Sequence, residues 1–335
     1  MGVALAIPCF AHAATSYPGF GPIVSRIQQP VYLTNLTLTP TGATTLERGE
    51  FQSVTHFAYS NIFERVVSGT TNLDMDMELM RLALDLRYGW HDRFDIGVEI
   101  PFLHFDGGFL DGFIDAYHRA FGFPRGGRER VTSDRFLYHF DDNGVTLFDL
   151  PSETFDVGDV TFRLKHHFID EGRLMPAMAW FFDFKIPTGD EGRGLGNGHS
   201  DMGLGVALEK SIGRFHGYTN VAALTLSGRD GLEGYQYNQQ FVYVIAGEIT
   251  LLENLSVIAQ LNGGTPLLKG TTTHIWNGVP LDLVIGFKGE ERDFFDQHDL
   301  IWQVAFAEDV TSRGPSVDFT AYLSIGVRLD TLAKR

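Results

Sequence analysis

The chain has 335 residues, of which 44% are hydrophobic, 13% aromatic and 20% charged, and its 42 acidic against 26 basic side chains give a formal net charge of −16. This composition excludes intrinsic disorder, and the apolar residues never condense into the run of about 18 that a membrane-spanning helix needs. Basic residues form no long block, so the phosphate attraction behind nucleic-acid binding is missing and no nucleic-acid partner is expected.

Residues 1–13 form a short apolar stretch closing on Ala11-His12-Ala13, the small-x-small pattern of a signal-peptidase site. Cleavage is expected after Ala13, leaving residues 14–46 as a periplasmic or lumenal segment. Cys9 is the only cysteine and falls inside the leader. The mature chain would hold no thiol, which removes disulfides, thiolate metal sites and cysteine nucleophiles together.

Beyond residue 47 the dominant pattern is period two. Met80, Leu82, Leu84, Leu86 and Tyr88 share one face, and Arg81, Ala83, Asp85 and Arg87 the other. After His91-Asp92-Arg93 the alternation resumes with Phe94, Ile96, Val98, Ile100 and Phe102 against Asp95, Gly97, Glu99 and Pro101, which predicts a hairpin. The same pattern recurs at 160–165, 177–186, 202–208, 218–226, 237–251, 255–261, 281–287, 300–306 and 317–329, with a first run at 51–61. About twelve strands result.

An antiparallel sandwich also alternates. Many of these runs, however, reach about nine residues, the length with which a tilted strand crosses a bilayer. Connections are short at 91–93, 169–173, around Gly213 and at 252–254, and longer at 64–75, 106–154, 188–198, 227–235 and 264–279. Together with the leader, this predicts an all-β fold: a transmembrane antiparallel up-and-down β-barrel of about twelve strands over 47–330, with a helix-containing long external loop.

The polar faces then line the lumen. Expected lumen-lining residues are Arg81, Asp85, Arg87, Glu99, Arg163, Lys165, Asp183, Lys185, Glu209 and Arg328, with Asp159, Glu248 and Asp318 on the same faces. This mixture of signs fits either a salt-bridged interior or a wet channel tuned by charge. The small residues Ala83, Gly97, Ala179, Gly203, Gly205 and Ala207 would leave room for solvent or for a loop folded inward. Aromatic residues near strand ends, among them Tyr88, Trp90, Phe94 and Trp180, suit an interfacial girdle.

The segment 106–154 breaks the strand pattern. Phe109, Leu110, Phe113, Ile114, Tyr117 and Phe121 form one helical stripe near 109–121, with Asp111, Asp115, His118 and Arg119 opposite and Pro124, Gly126 and Gly127 ending it. The leading expectation is a plug across the barrel mouth by Phe109, Phe113, Ile114, Tyr117 and Phe121. A helix at the outer leaflet and a partner-binding surface are the alternatives.

The runs 156–165, 184–190 and 194–206, containing Asp156-Val-Gly-Asp159, Pro187-Thr-Gly-Asp190 and Gly194-Leu-Gly-Asn-Gly198, resemble the barrel family described as phenol-degradation-pathway transporters. The helix-bearing loop 108–128 is more similar to an uncharacterised bacterial outer-membrane family of unknown function. The resemblance spans most of the mature chain and implies an outer-membrane barrel for uptake of small, apolar or aromatic compounds. It supplies no catalytic residue.

Other chemistry finds little footing. Gly194, Gly196 and Gly198 lie between strand patterns with no helix to follow, so a phosphate loop is not formed. His166 and His167 are strand neighbours on opposite faces and cannot chelate one ion; the same objection separates His199 from Ser200. Asp190-Glu-Gly-Arg193 and Asp141-Asp142-Asn143 fit solvated turns better than calcium sites. The expectation is therefore a non-enzymatic outer-membrane channel or transporter for small molecules, gated or narrowed by 106–154, without metal or cofactor. Its expected partners are outer-membrane lipid and lipopolysaccharide, the barrel-assembly machinery and a small-molecule solute. The rival readings are a lipid-acting hydrolase or acyltransferase and a closed structural or adhesive barrel.

Overall fold

The computed structural model describes residues 17–122, 132–150, 154–227, 236–237, 239–269, 277–295, 298–311, 314–315, 317 and 319–330, with Tyr117, His118, Phe121, Thr154, Gln236, Tyr237, Lys269, Phe295 and Asp330 described in their backbone only. The expected leader at 1–13 lies outside these residues. In chain order the elements begin with α1 (Pro30–Leu33), β1 (Glu50–Ser68), β2 (Thr71–His91), β3 (Phe94–Asp106) and α2 (Asp111–Phe121). Three short strands follow: β4 (Leu137–Asp142), β5 (Val145–Leu150) and β6 (Thr154–Val157). The wall continues through β7 (Val160–Ile169), β8 (Ala177–Ile186), β9 (Asp201–Ile212) and β10 (Phe215–Thr225). The remainder is β11 (Gln236–Tyr237), β12 (Gln240–Leu252), β13 (Leu255–Gly264), β14 (Leu268–Lys269), β15 (Leu281–Phe295), β16 (His298–Asp309) and β17 (Phe319–Asp330).

Twelve of these strands close into one antiparallel barrel. Each pairs with its neighbours along the chain, and β1 seals the ring against β17, from Glu50 opposite Asp330 to Asn61 opposite Phe319. The upper part of β3 pairs with β6 and its lower part with β7, so β6 and β7 together make one interrupted wall strand. Closure leaves no unpaired edge, the condition for a sheet to sit in hydrocarbon.

Alternation decides the two surfaces. Leu204, Phe241, Phe306, Leu323 and Ile325 point outward and are exposed, while Ala207, Asn220, Val244, Gln260 and Ser324 point inward and are buried. An apolar exterior around a polar interior inverts the soluble pattern and matches a lipid-facing wall. No helix among the described residues is long and apolar enough to cross a membrane; the crossing is made by strands.

One end of the barrel carries the start of β1, the end of β17 and the tight turns 91–94, 212–215 and 252–255. By the turn-and-loop rule this end is periplasmic. The connection expected at 64–75 is not a loop: β1 and β2 stay paired from Phe51 opposite Tyr88 to Ser68 opposite Thr71, raising a hairpin above the external rim. The segment 106–154 likewise carries more β structure than its sequence pattern announces. Its strands β4 and β5 pair with each other, and β4 adds to the upper part of β2.

Candidate functional site

The lumen is filled by the amino-terminal segment. Residues 17–29 rise from the periplasmic end, α1 turns the chain at the external end, and residues 34–49 descend to enter β1. An extended segment inside a closed barrel has no strand edge to pair with, so its backbone groups need side-chain partners. Three inward amides supply them. Gln260 Oε1 accepts from Ile23 N at 2.9 Å while its Nε2 donates to Ile23 O at 3.0 Å. Gln303 does the same for Val24, at 3.0 and 2.8 Å, and Asn220 for Thr41, at 2.8 and 2.9 Å. A primary amide carries donor and acceptor together, which is what one peptide unit needs. Sequence reasoning that weighed only the charges on the inward faces passed over these three residues, although each sits at an inward position of an alternating run.

Inward-facing charges tie the plug to the wall and the wall strands to one another. Glu99 Oε1 accepts from Arg81 Nη2 and from Arg26 Nη2 of the plug, each at 2.6 Å. Arg26 also clamps the descending limb through Thr37 Oγ1 at 2.9 Å and Thr39 Oγ1 at 2.7 Å. Arg163 grips Asp183 with two bonds of 2.6 Å, Arg87 pairs with Asp85 at 2.9 Å, Lys165 with Asp95 at 3.4 Å and Arg328 with Glu290 at 2.8 Å. Glu209 accepts from Ala43 N of the plug at 2.9 Å. Lys185 Nζ donates to Asp159 at 2.5 Å, Asn197 at 2.7 Å and Thr34 O at 3.2 Å, with Asp201 at 3.2 Å, and Asp201 in turn accepts from Leu36 N. All ten sequence-selected lumen residues thus lie on the inward faces in bonded pairs or against the plug. Asp318 lies outside the described residues.

Small inward residues make room for this segment. A Cβ at Gly203 would lie 3.2 Å from Leu36 Cδ2 of the plug and 2.6 Å from Leu224 Cδ2, while Ala83, Ala179 and Ala207 are fully buried.

The external half of the lumen is apolar. Val31, Tyr32, Leu36 and Leu38 of the plug pack in one cluster with Met75, Met77, Leu79, Phe105, Leu224, Leu226 and Val244 from the wall. Tyr138, Phe140, Leu147 and Phe148 of β4 and β5 belong to the same cluster, as do Leu195 and Leu267 from other external loops. The strands of segment 106–154 therefore cover the mouth, and its helix does not. Phe109 stacks near Tyr59, 5.8 Å between centroids, and Phe113 meets Phe319 at 6.4 Å, which itself neighbours Phe306 at 5.7 Å. Tyr59, Phe319 and Phe306 lie on the outward face, so α2 rests on the outer wall with Phe109 and Phe113 exposed. Glu78 holds it there. Its carboxylate accepts from Phe109 N, Leu110 N, Tyr59 Oη and Asn61 Nδ2, and Asn61 also donates to Asp111. Of the stripe expected to plug the mouth, only Ile114 is fully buried among the described side chains; those of Tyr117 and Phe121 lie outside the described set.

His166 and His167 diverge. The first stacks on Phe94 at 4.0 Å outside the barrel and accepts from Trp180 Nε1, and the second turns inward to Ala43 O. Serine–histidine contacts in the lumen include Ser211 with His216 and Ser324 with His56, both at 2.8 Å. The other nitrogen of His216 bonds Thr250 and not a carboxylate, so this contact lacks the third member of a hydrolytic triad. At the periplasmic end the two plug limbs separate around a cavity of about 350 Å³.

A closed barrel of twelve antiparallel strands, apolar outside and carrying buried charges and amides on its inward faces, defines an integral outer-membrane β-barrel. The chain belongs to DUF3187, a family of proteins of unknown function whose profile matches residues 2–329. Among solved structures it is similar to the COG4313 outer membrane channel from Pseudomonas putida F1, with a TM-score of 0.55 and 14% identity over 88% of this chain and 100% of that one. Lower likenesses are to the CymD monoaromatic hydrocarbon channel (TM-score 0.38, 9% identity, 90% and 91% coverage) and the Pseudomonas putida toluene transporter TodX (0.37, 8%, 89% and 95%). The comparison with the COG4313 channel shows a shared fold. A search of curated proteins finds no match.

Proposed function

We propose that this protein is an outer-membrane channel for small apolar or aromatic molecules, shut by its own amino-terminal hairpin. The observation that carries the reading is the apolar cluster at the external end, where Val31, Tyr32, Leu36 and Leu38 of the plug pack against the wall beneath β4 and β5 while the plug itself is fastened through side chains. A hydrocarbon that takes the place of the plug's apolar tip in that cluster meets thioether, aliphatic and aromatic surface and loses no hydrogen bond. The plug is bound as a ligand is bound, by side chains, and it can leave its seat without breaking the sheet. The strands β4 and β5 are the part of segment 106–154 that narrows the route. In this reading the inward charges fasten the plug and do not select ions. The COG4313 channel, which has the same fold, lends the transport reading further support.

The test compares cells carrying the wild-type protein, a variant lacking residues 17–46, or neither, for influx of naphthalene followed by fluorescence. Both proteins are expected to raise influx over cells without the barrel, the shortened variant more. Equal influx in all three, with the barrels shown folded by heat-shifted gel mobility, would refute the proposal.

A further inference from the structure

We infer that the cavity between the plug limbs is a binding site for a small organic carboxylate, with Lys288 as its anchoring cation. The cavity has a volume of about 350 Å³ and opens among the plug limbs, β1, β2, β15, β16 and β17 at the periplasmic end. That volume falls in the range of small-molecule sites.

The hydrogen-bonding groups around it do not balance. Its carboxylates already have donors: Glu290 takes both arms of Arg328, Asp95 takes Leu46 N and Lys165, Glu209 takes Ala43 N, and Glu50 takes Glu47 N. Glu47 itself is exposed to solvent at the rim. The cations retain unused capacity. Lys288 forms no ion pair among the described residues and makes one hydrogen bond, to Pro22 O at 2.9 Å, although an ammonium has three hydrogens to donate. Arg87 commits Nε and Nη2 to Asp85, which leaves Nη1 available. Gln52 lies between Arg87 and Arg328 in one cross-strand row, and its amide bonds no described residue. An anion entering the cavity therefore meets an ammonium, a guanidinium edge and an amide that have donors to give.

The apolar walls set the rest of the ligand. Val24, Val54 and Ile301 line the same space, so a hydrocarbon body is accommodated beside the charged head. This combination selects a carboxylate with a compact apolar body over a bare inorganic anion, which would leave those walls wet. The assignment is independent of the transport reading, because binding is measured without flux.

Benzoate titrated calorimetrically into the detergent-folded full chain is the probe, with benzyl alcohol and inorganic phosphate as comparisons. Saturable benzoate binding is expected, with weak or no binding of the other two. Lys288→Gln should weaken benzoate about tenfold or more, the loss of one charge-assisted contact, and Lys288→Arg should restore most of it. A second measurement needs no variant: benzoate should slow acetylation of Lys288 by acetic anhydride in the wild-type chain, followed by mass spectrometry. Absence of saturable binding, equal binding of benzyl alcohol or phosphate, indifference to Lys288→Gln, or unchanged acetylation would each overturn the inference.

Discussion

Replacing Arg26 by methionine tests whether the plug is held by its polar fastening. The guanidinium makes three short bonds, to Glu99 at 2.6 Å, Thr39 at 2.7 Å and Thr37 at 2.9 Å, with side-chain exposures of only 9% and 8% for Arg26 and Glu99. Breaking a buried pair by removing one partner costs about 3–5 kcal/mol. Glu99 keeps Arg81 at 2.6 Å, which places the loss at the lower end, about 3 kcal/mol. Methionine retains the apolar stem, so packing changes little. At 1.4 kcal/mol per decade the displaced state of the plug should become about a hundredfold more populated. In planar bilayers the expected result is rare openings in wild type and roughly a hundredfold more frequent openings in Arg26→Met, with the step size unchanged. Arg26→Lys keeps the charge and loses the fork, and should fall between them. An opening frequency within about threefold of wild type, in a barrel folded by heat-shifted mobility, would refute the claim that this contact holds the plug.

Three further predictions bear on the same architecture. Gly203→Val places a side chain against Leu36 and Leu224; overpacking of about 1–3 kcal/mol should unseat the plug and expose residues 34–39 to protease, and an unchanged digestion pattern would count against the seat. Phe109→Asp with Phe113→Asp should leave conductance unchanged, because α2 lies on the outer wall; a rise in conductance would restore the plug expected from sequence. The β4–β5 hairpin should be pH-sensitive through His139. Burial pulls its pKa down, but hydrogen bonds to Asp141 and Asp149 outweigh this and leave it raised. A raised histidine contributes stability that is present below about pH 6.5 and lost as pH rises through the folded value. For this exposed cluster the contribution is under about 1 kcal/mol. Cleavage near Asn143 should therefore quicken modestly from pH 5.5 to 8.5 in wild type and show no such change in His139→Gln.

The strands could be read from sequence because their signal is local. Two-residue alternation such as Met80 to Tyr88 is a property of a strand and its two solvents, so it fixes which residues face lipid and which face the lumen before any partner is known. The inward positions of Arg81, Glu99 and Lys185 follow from that rule alone. The helix at 111–121 was equally visible as an apolar stripe. Its location was not, because a stripe states that a face is buried and does not say against what; Glu78, Asn61 and Tyr59, remote in the chain, draw it to the outer wall. The plug left no periodic trace. Its backbone is satisfied by side chains far along the chain: Gln260 and Gln303 lie 237 and 279 positions from the peptides they hold, and Tyr322 Oη donates to Arg26 O across 296. Local pattern determines the wall because each strand needs only its neighbours. Tertiary structure alone decides what fills the barrel, because the groups that seat the plug converge only when the ring has closed.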